Sequence, residues 1–426
     1  MSIRLLVKLR VALVQLNPQV GRLEQNIART WSLLRKFQEK LQPAQTGEKM
    51  TTPTPDLMVF PEFALTGYSF HSKEHISSFV HKTKESPSFH FAQQVSKMFS
   101  CYTVIGYPER HEKEGKVLLY NSALVVSPKG ELVFNYRKSF LYDTEYEWDC
   151  EENPNGFETF SLTFPGKGQT PTGDKIDVTL KTSIGICMDL SPYKFEAPFN
   201  LFEFASFNLE NRSELMICPM AWLHSSSITK MDKYTEEEKL EKMAALEDNL
   251  KRQSLPIFGS QNDFQLDLDN SNTPRTMSRD GPDVDPTYGK LEEPDMTNVN
   301  YWILRFLPFI DLNIREEWYK QGIIKKLLSR EQSDLLGSTY MGASARAAWE
   351  FANCNAILLL TNRCGVEDGT TVYAGSSGVY KFNGSMDPNE SNIDSMNGSV
   401  ALLGNLGKGK EGIILRDLEF DVTREL

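Results

Sequence analysis

Residues 182–190 read Thr182-Ser183-Ile184-Gly185-Ile186-Cys187-Met188-Asp189-Leu190, a β-rich apolar run that ends in a cysteine and an acid. Such a run reads as a buried strand, and Pro192 just beyond it marks the start of a helix. A cysteine at a strand-to-helix elbow projects from the sheet edge. The Met188 backbone N–H then lies close to where an oxyanion develops beside the sulfur. Taken alone, a cysteine after an apolar strand is more often a buried structural residue. Cys187 therefore needs partners before chemistry is assigned to it.

Two other strands end in charge. Leu57-Met58-Val59-Phe60 runs into Pro61-Glu62-Phe63. Hemmed by Phe60, Phe63 and Tyr68, Glu62 should be desolvated, which makes it a stronger proton acceptor near neutral pH. Leu132 to Tyr136 runs into Arg137-Lys138. A lysine at a strand end is usually solvated. Beside a thiol and a carboxylate it favours the ionised sulfur and neutralises a developing oxyanion. The histidines at 71, 75, 81, 90, 111 and 224 sit in no cysteine-protease signature. His71 and His75 share a helix face with no further ligand, so no metal is expected.

The remaining pattern supports an α/β layered fold. Val11 to Leu16 reads as a strand, and Leu23, Ile27, Trp31, Leu34 and Phe37 recur at helical spacing. Residues 41–56 read as a loop. Tyr102 to Tyr107 is a strand, and Ser122 to Ser127 pairs with Leu132 to Tyr136 across a Pro-Lys-Gly turn. Tyr193 to Asn208 and Ala343 to Asn353 read as helices. Leu215 to Pro219, Ala356 to Thr361, Gly375 to Phe382 and Ile413 to Leu418 read as strands. Residues 225–340 are charge-dense, then Asp/Pro/Asn-rich, then aromatic at 301–309, and read as an insertion rather than core.

The net charge of −11 and the absence of a basic run exclude nucleic-acid and anionic-membrane partners. The six cysteines lack Cys-x-x-Cys spacing, which excludes a disulfide framework. Arg4, Lys8 and Arg10 interrupt the apolar N-terminus, so no signal peptide is read there, and an intracellular, cytoplasmic location is expected.

These segments resemble the nitrilase superfamily, the carbon–nitrogen hydrolases with a Glu-Lys-Cys triad. Glu62 stands in FPEFALTGY, similar to the family's Pro-Glu segment and its Gly-Tyr. Lys138 stands in YRKSFL, similar to Tyr-Arg-Lys-x-His-Leu with Phe140 where His is usual. Cys187 stands in GICMDL, similar to Gly-x-x-Ile-Cys-Tyr-Asp. Cys218-Pro219-Met220-Ala221-Trp222 and Asn362-Arg363-Cys364-Gly365 fit later family segments. The resemblance implies a four-layer αββα sandwich, one domain over 1–426, and no metal or organic cofactor. It implies Cys187 as nucleophile, Glu62 as base, Lys138 as cation and Met188 as oxyanion donor. It also implies a second glutamate after the lysine. Glu145, Glu147, Glu151 and Glu152 are the candidates, with Glu152 favoured by the Pro-Asn-Gly-Phe turn that follows it. Two features depart from the family: Ser191-Pro192-Tyr193 lacks the usual Arg after Asp189, and the insertion over 225–340 is long.

FPEFALTGY, GICMDLSPY and the insertion further resemble the branch of the family that deamidates N-terminal Asn or Gln of polypeptides. That implies a thioester intermediate, ammonia release and a polypeptide substrate with a free N-terminus, feeding N-degron degradation machinery. Glu145, Glu151, Asp189 and Trp222 are the candidate substrate contacts. A small-molecule amidase of ω-amidase or carbamoylase type is the rival reading, and a catalytically dead binding scaffold the second. The missing Arg argues against substrates that carry a free carboxylate.

Overall fold

The apolar N-terminal run becomes β1 (Ser2–Gln15), which organises the molecule because its two edges serve different partners. The computed structural model describes residues 2–41, 54–228, 234–252, 263–268, 288–310, 350–369, 371–384 and 399–425. Along one edge, β1 pairs antiparallel with β15 (Gly412–Glu425) from Ser2↔Glu425 to Gln15↔Gly412. The other edge forks. Val11–Leu13 pair in parallel with β2 (Leu57–Val59), whereas Leu6 and Val7 pair antiparallel with β6 (Thr159–Gln169).

From that fork two sheets diverge. One continues through β3 (Tyr102–Lys113), β4 (Lys116–Val126) and β5 (Leu132–Arg137). The other continues through β7 (Lys175–Ile184), β8 (Leu215–Met220), β10 (Asn355–Asn362), β13 (Gly378–Asn383) and β14 (Val400–Asn405). They pack face to face: Val11, Leu13, Val59 and Val104 of the first share a core with Leu162, Val178, Leu180 and Ile184 of the second. Alternate residues, with the strand's period of two, turn the other way. Ala12, Val14, Met58, Phe60 and Leu124 pack under α1 (Leu23–Leu41) and α3 (Pro87–Phe99). On the opposite face, α5 (Glu203–Glu210) and α7 (Met296–Leu304) join the core of the second sheet. The layers run α, β, β, α.

Shorter elements complete the order: α2 (Lys73–Ser77), α4 (Asp143–Glu147), α6 (Glu236–Arg252), β9 (Gln265–Asp267) beside β15, and a hairpin of β11 (Cys364–Glu367) and β12 (Thr371–Ala374). All six cysteines are free. Among the described residues no helix is long and apolar enough to cross a membrane.

Three expectations change. The helix expected over 193–208 is two single 3-10 turns, Tyr193–Phe195 and Phe199–Leu201, before α5. Pro192 and Pro198 precede these turns and disfavour helix before them, and Lys194, Phe195 and Phe202 take left-handed backbone. Likewise, no helix starts at Pro192; the nucleophile strand ends in a 3-10 turn, Cys187–Leu190. Within the segment read as insertion, residues 288–310 are core: Val299, Trp302, Ile303, Phe306, Leu307 and Phe309 are buried with the sheet residues. The aromatic run at 301–309 contributes too much apolar surface to remain outside. The helix expected at 343–353 lies mostly outside the described residues.

Candidate active site

β1, β2, β3, β5, β7, β8 and β10 all run in one direction through the sheet pairings. Glu62, Lys138 and Cys187 follow the carboxyl ends of β2, β5 and β7, so the topology gathers them at one end of the two sheets. Open α/β sheets place ligands at that end.

Local chemistry fixes each residue. Glu62 crosses over Gly106 of β3, where an added Cβ would sit 2.6 Å from the Glu62 Cα and 2.7 Å from the Pro61 carbonyl. Gly106 N–H donates to the Pro61 carbonyl at 3.1 Å, and Ala64 N–H donates to the Gly106 carbonyl at 3.1 Å. Lys138 is set by its own N–H, which donates to the Asn121 carbonyl at 2.8 Å. Cys187 sits at φ +44°, a left-handed conformation that is costly for a residue with a side chain.

Asp189 holds that turn. Its buried carboxylate accepts from the Ile186 and Phe140 N–H groups at 2.7 Å, the Tyr136 hydroxyl at 2.9 Å and the Ser139 N–H at 3.1 Å. It thereby ties the Lys138 loop to the Cys187 turn. Burial pushes its pKa up to about 7 against the pull of those N–H donors. Expected as a substrate contact, Asp189 is instead fully enclosed and committed to the backbone.

The charged centre is dry. Glu62, Lys138 and Glu145 are all 0% exposed. Lys138 Nζ lies 2.8 Å from Glu62 Oε1 and 2.9 Å from Glu145 Oε2. Asn121 Nδ2 donates to Glu62 Oε1 at 2.6 Å and also to Glu145 Oε1. Burial raises the Glu62 pKa; Lys138 pulls it down and the Glu145 charge adds to the rise. Burial opposes the Lys138 charge, but Glu145 and Glu62 outweigh it and hold the ammonium protonated. Burial, then the Glu62 charge, push the Cys187 thiol well up; Lys138 and a hydrogen bond from the Ala221 backbone pull the other way. Burial thus acts against the ionised sulfur that a neighbouring lysine favours. Glu62 Oε2 is buried and takes no hydrogen bond among the described residues. It is a buried acceptor left open in the cluster whose charges act on Cys187.

The glutamate that the structure places beside Lys138 is Glu145, not Glu152. Glu145 is the third residue of α4 and its Oε2 also accepts from the Tyr142 N–H at 2.7 Å, a capping contact that turns it inward. Being enclosed with Lys138, it is not an exposed substrate contact. Glu152 accepts from the Tyr146 and Tyr193 hydroxyls at 2.6 and 2.9 Å, and Glu151 is exposed. Trp222, half-buried after β8, donates from Nε1 to Asn298 Oδ1 at 3.0 Å and faces Tyr301 at 5.5 Å between ring centroids.

Sequence reading missed Asn121 and Glu367, and gave Tyr68 only a part in hemming Glu62. Asn121 bridges both carboxylates, and a polar residue inside the apolar β4 run was its available signal. Tyr68 is 7% exposed, and burial, then the charges of Glu145, Glu62 and Cys187, raise its pKa. Glu367 accepts from the Tyr68 and Ser69 N–H groups at 3.1 and 2.9 Å and pairs with buried Arg363 at 2.9 Å, pinning the loop after Glu62 to β11. Among the described residues, no group of three or more His, Cys, Asp or Glu side chains is arranged to hold a metal.

A carbon-nitrogen hydrolase family model matches residues 10–191. Over its whole length the chain is 49% identical to the protein N-terminal amidase of Saccharomyces cerevisiae, covering 98% of that relative. The chain belongs to the carbon–nitrogen hydrolase family. Solved structures of N-terminal amidase with an Asn-Glu-Ala peptide and with a Gln-Val peptide superpose on it with TM-scores of 0.82. They are 49% and 48% identical to it, each covering 99% of this chain and 100% of the solved one.

Proposed function

We propose that this chain hydrolyses the side-chain carboxamide of N-terminal Asn or Gln in polypeptides, giving N-terminal Asp or Glu and ammonia through a Cys187 thioester. The observation that carries the chemistry is the buried, unbonded Glu62 Oε2, whose other oxygen pairs with Lys138, in the buried cluster whose charges act on Cys187. The relatives named for N-terminal amidase, two of them holding Asn- and Gln-led peptides, support the substrate class.

The cycle uses these groups in order. Glu62 takes the Cys187 proton as sulfur attacks the carboxamide carbon. The developing oxyanion is met by Lys138, whose ammonium has three N–H donors and two carboxylate partners, and by the Met188 N–H. Glu62 returns the proton to nitrogen, ammonia leaves and the thioester remains. Glu62 then takes a proton from water, which attacks the thioester; the carboxylate product departs and the thiol is restored. Glu145 keeps Lys138 charged throughout.

A substrate with a free carboxylate near the amide needs a cation in the pocket. Arg305, the guanidinium that reaches the turn after Asp189, is already bound to protein oxygens. That favours a peptide over an ω-amidase substrate. The new acidic N-terminus is suited to recognition by a cytoplasmic N-degron pathway, which the family resemblance supplies. The whole chain works as one catalytic unit, with 288–310 built into its core.

Ammonia release from an unblocked Asn-peptide, against its N-acetylated form, tests the substrate. Acetylation removes the α-ammonium charge by which an N-terminal residue differs from an internal one, so discrimination should exceed about a hundredfold. Equal rates would leave a general amidase.

A further inference from the structure

Arg305 ends α7, more than a hundred residues after the nucleophile, yet its guanidinium faces the segment that leaves Cys187. It is 2% exposed. Nε donates to the Leu190 carbonyl at 2.6 Å, Nη1 to the Phe199 carbonyl, and Nη2 to Glu203 Oε2 at 2.8 Å. The other Glu203 oxygen accepts the Tyr193 N–H at 3.1 Å. The guanidinium plane lies over the Phe199 ring at 4.7 Å and near Phe202 at 5.4 Å.

The segment so gripped needs an external hold. Residues 187–202 form only single 3-10 turns, and Cys187, Lys194, Phe195 and Phe202 occupy left-handed backbone. Such conformations persist only where the surroundings over-determine them. A buried guanidinium is also a poor choice for stability alone, since apolar replacements of similar volume often do as well. What the fork offers, and an apolar side chain does not, is three directed bonds to carbonyls and a carboxylate.

We propose that Arg305 is a positioning residue for the nucleophile turn: through Leu190, Phe199 and Glu203 it fixes the left-handed Cys187 against Glu62, which makes residues 288–310 an obligatory part of the active site. The two departures from the family pattern are then one device. The turn after Asp189 carries Ser191 where the family has Arg, and the long insertion brings a guanidinium to the adjacent Leu190 carbonyl.

This rests on the amidase reading for its kinetic arm, so a second arm needs no substrate. Arg305→Met, Arg305→Lys and Glu203→Gln are made in the full chain. For each, kcat and KM for ammonia release from an unblocked Asn-peptide are measured. The rate of iodoacetamide alkylation at Cys187 is followed across a pH series by peptide-resolved mass spectrometry, with exposed Cys354 as internal reference. Small displacements of a reacting group are costly, so kcat should fall by about tenfold or more with KM little changed. The Cys187 alkylation profile should shift while that of Cys354 does not. Folded variants that keep the wild-type kcat and Cys187 profile, even with a lower melting temperature, would show that Arg305 only packs the core. If Arg305→Met does not fold, Arg305→Lys and Glu203→Gln decide. An unchanged wild-type failure to release ammonia, with a shifted Cys187 profile in the variants, would sink the substrate reading and leave this one standing.

Discussion

The Glu62–Lys138–Glu145 cradle and the 288–310 wall are built on opposite principles. The cradle is made of charge: two carboxylates, one ammonium and one bridging amide, with Glu62 and Lys138 following strand ends, Asn121 inside β4 and Glu145 on α4. The wall is made of rings, Tyr301, Trp302, Phe306 and Phe309, with a single guanidinium at its foot. In the proposed cycle the cradle moves protons and must exclude water, because charge in a dry site interacts strongly and an orphaned partner is expensive. The wall shapes and holds. Substitutions in the cradle should therefore alter the chemical step, and substitutions on the exposed side of the wall should alter binding.

The largest expected effect is at the sulfur. Cys187→Ala should lower ammonia release by about 10⁴-fold or more with the fold intact, as for loss of a nucleophile elsewhere. Cys218→Ala, in a buried strand position that no step uses, should retain most activity. Near wild-type turnover by Cys187→Ala would end the thioester reading. Glu62→Gln should follow closely, by about 10² to 10⁴-fold, because the same oxygen serves acylation and hydrolysis. It should give no burst of thioester in rapid-quench mass measurements.

Lys138→Met joins activity to stability. It removes the cation between two fully buried carboxylates, a loss of about 3–5 kcal/mol for a broken buried pair, and it costs about a hundredfold or more in kcat. A urea titration gives the first number and steady-state kinetics the second. A wild-type urea midpoint in this variant would mean that the two carboxylates are not both charged at rest.

The strand ends were legible because an apolar run that stops at a charged residue is a local signal. Val59 into Glu62, Tyr136 into Lys138 and Ile186 into Cys187 each fit within one short window. Glu145 was not legible against Glu147, Glu151 and Glu152. Its inward turn depends on a five-residue helix and a bond from the Tyr142 N–H, and so short a helix leaves no periodicity. The 193–208 segment misled for the opposite reason. Its aromatic spacing is helical, but Tyr193 and Phe199 pack on Phe140 and Tyr301 from irregular turns. Core membership of 288–310 depends on contacts with residues far away in sequence, which no window contains.

A subtler sharpening uses pH. The base must be ionised to accept the thiol proton, so kcat/KM should rise as pH climbs through the Glu62 pKa. Burial raises that pKa, which puts the acid limb above the ordinary glutamate value of about 4.3. Glu145 contributes to the rise through its like charge. Glu145→Gln should therefore move the acid limb to lower pH, whatever it does to the maximal rate. A limb that stays or moves up would show that Glu62 is not the titrating base.

The smallest expected effect tests the wall from its open side. Trp222→Phe keeps an aromatic ring opposite Tyr301 but removes the indole N–H that reaches Asn298 Oδ1 at 3.0 Å. Asn298 is itself anchored, its Nδ2 donating to Asp295 Oδ2 at 2.7 Å and its N–H to Asp295 Oδ1 at 3.1 Å, so the amide should not swing away. The orphaned oxygen sits beside a half-buried residue that water can approach, which limits the loss to about 0.5–1.5 kcal/mol. If Trp222 borders the peptide's path, that loss should appear as a severalfold rise in KM for an Asn-peptide with kcat held, the signature of an interaction equal in ground and transition states. Trp222→Ala removes the ring as well and should raise KM further. A fall in kcat of cradle size from Trp222→Phe would contradict the division of labour, because it would mean that the indole N–H acts on the reacting atoms.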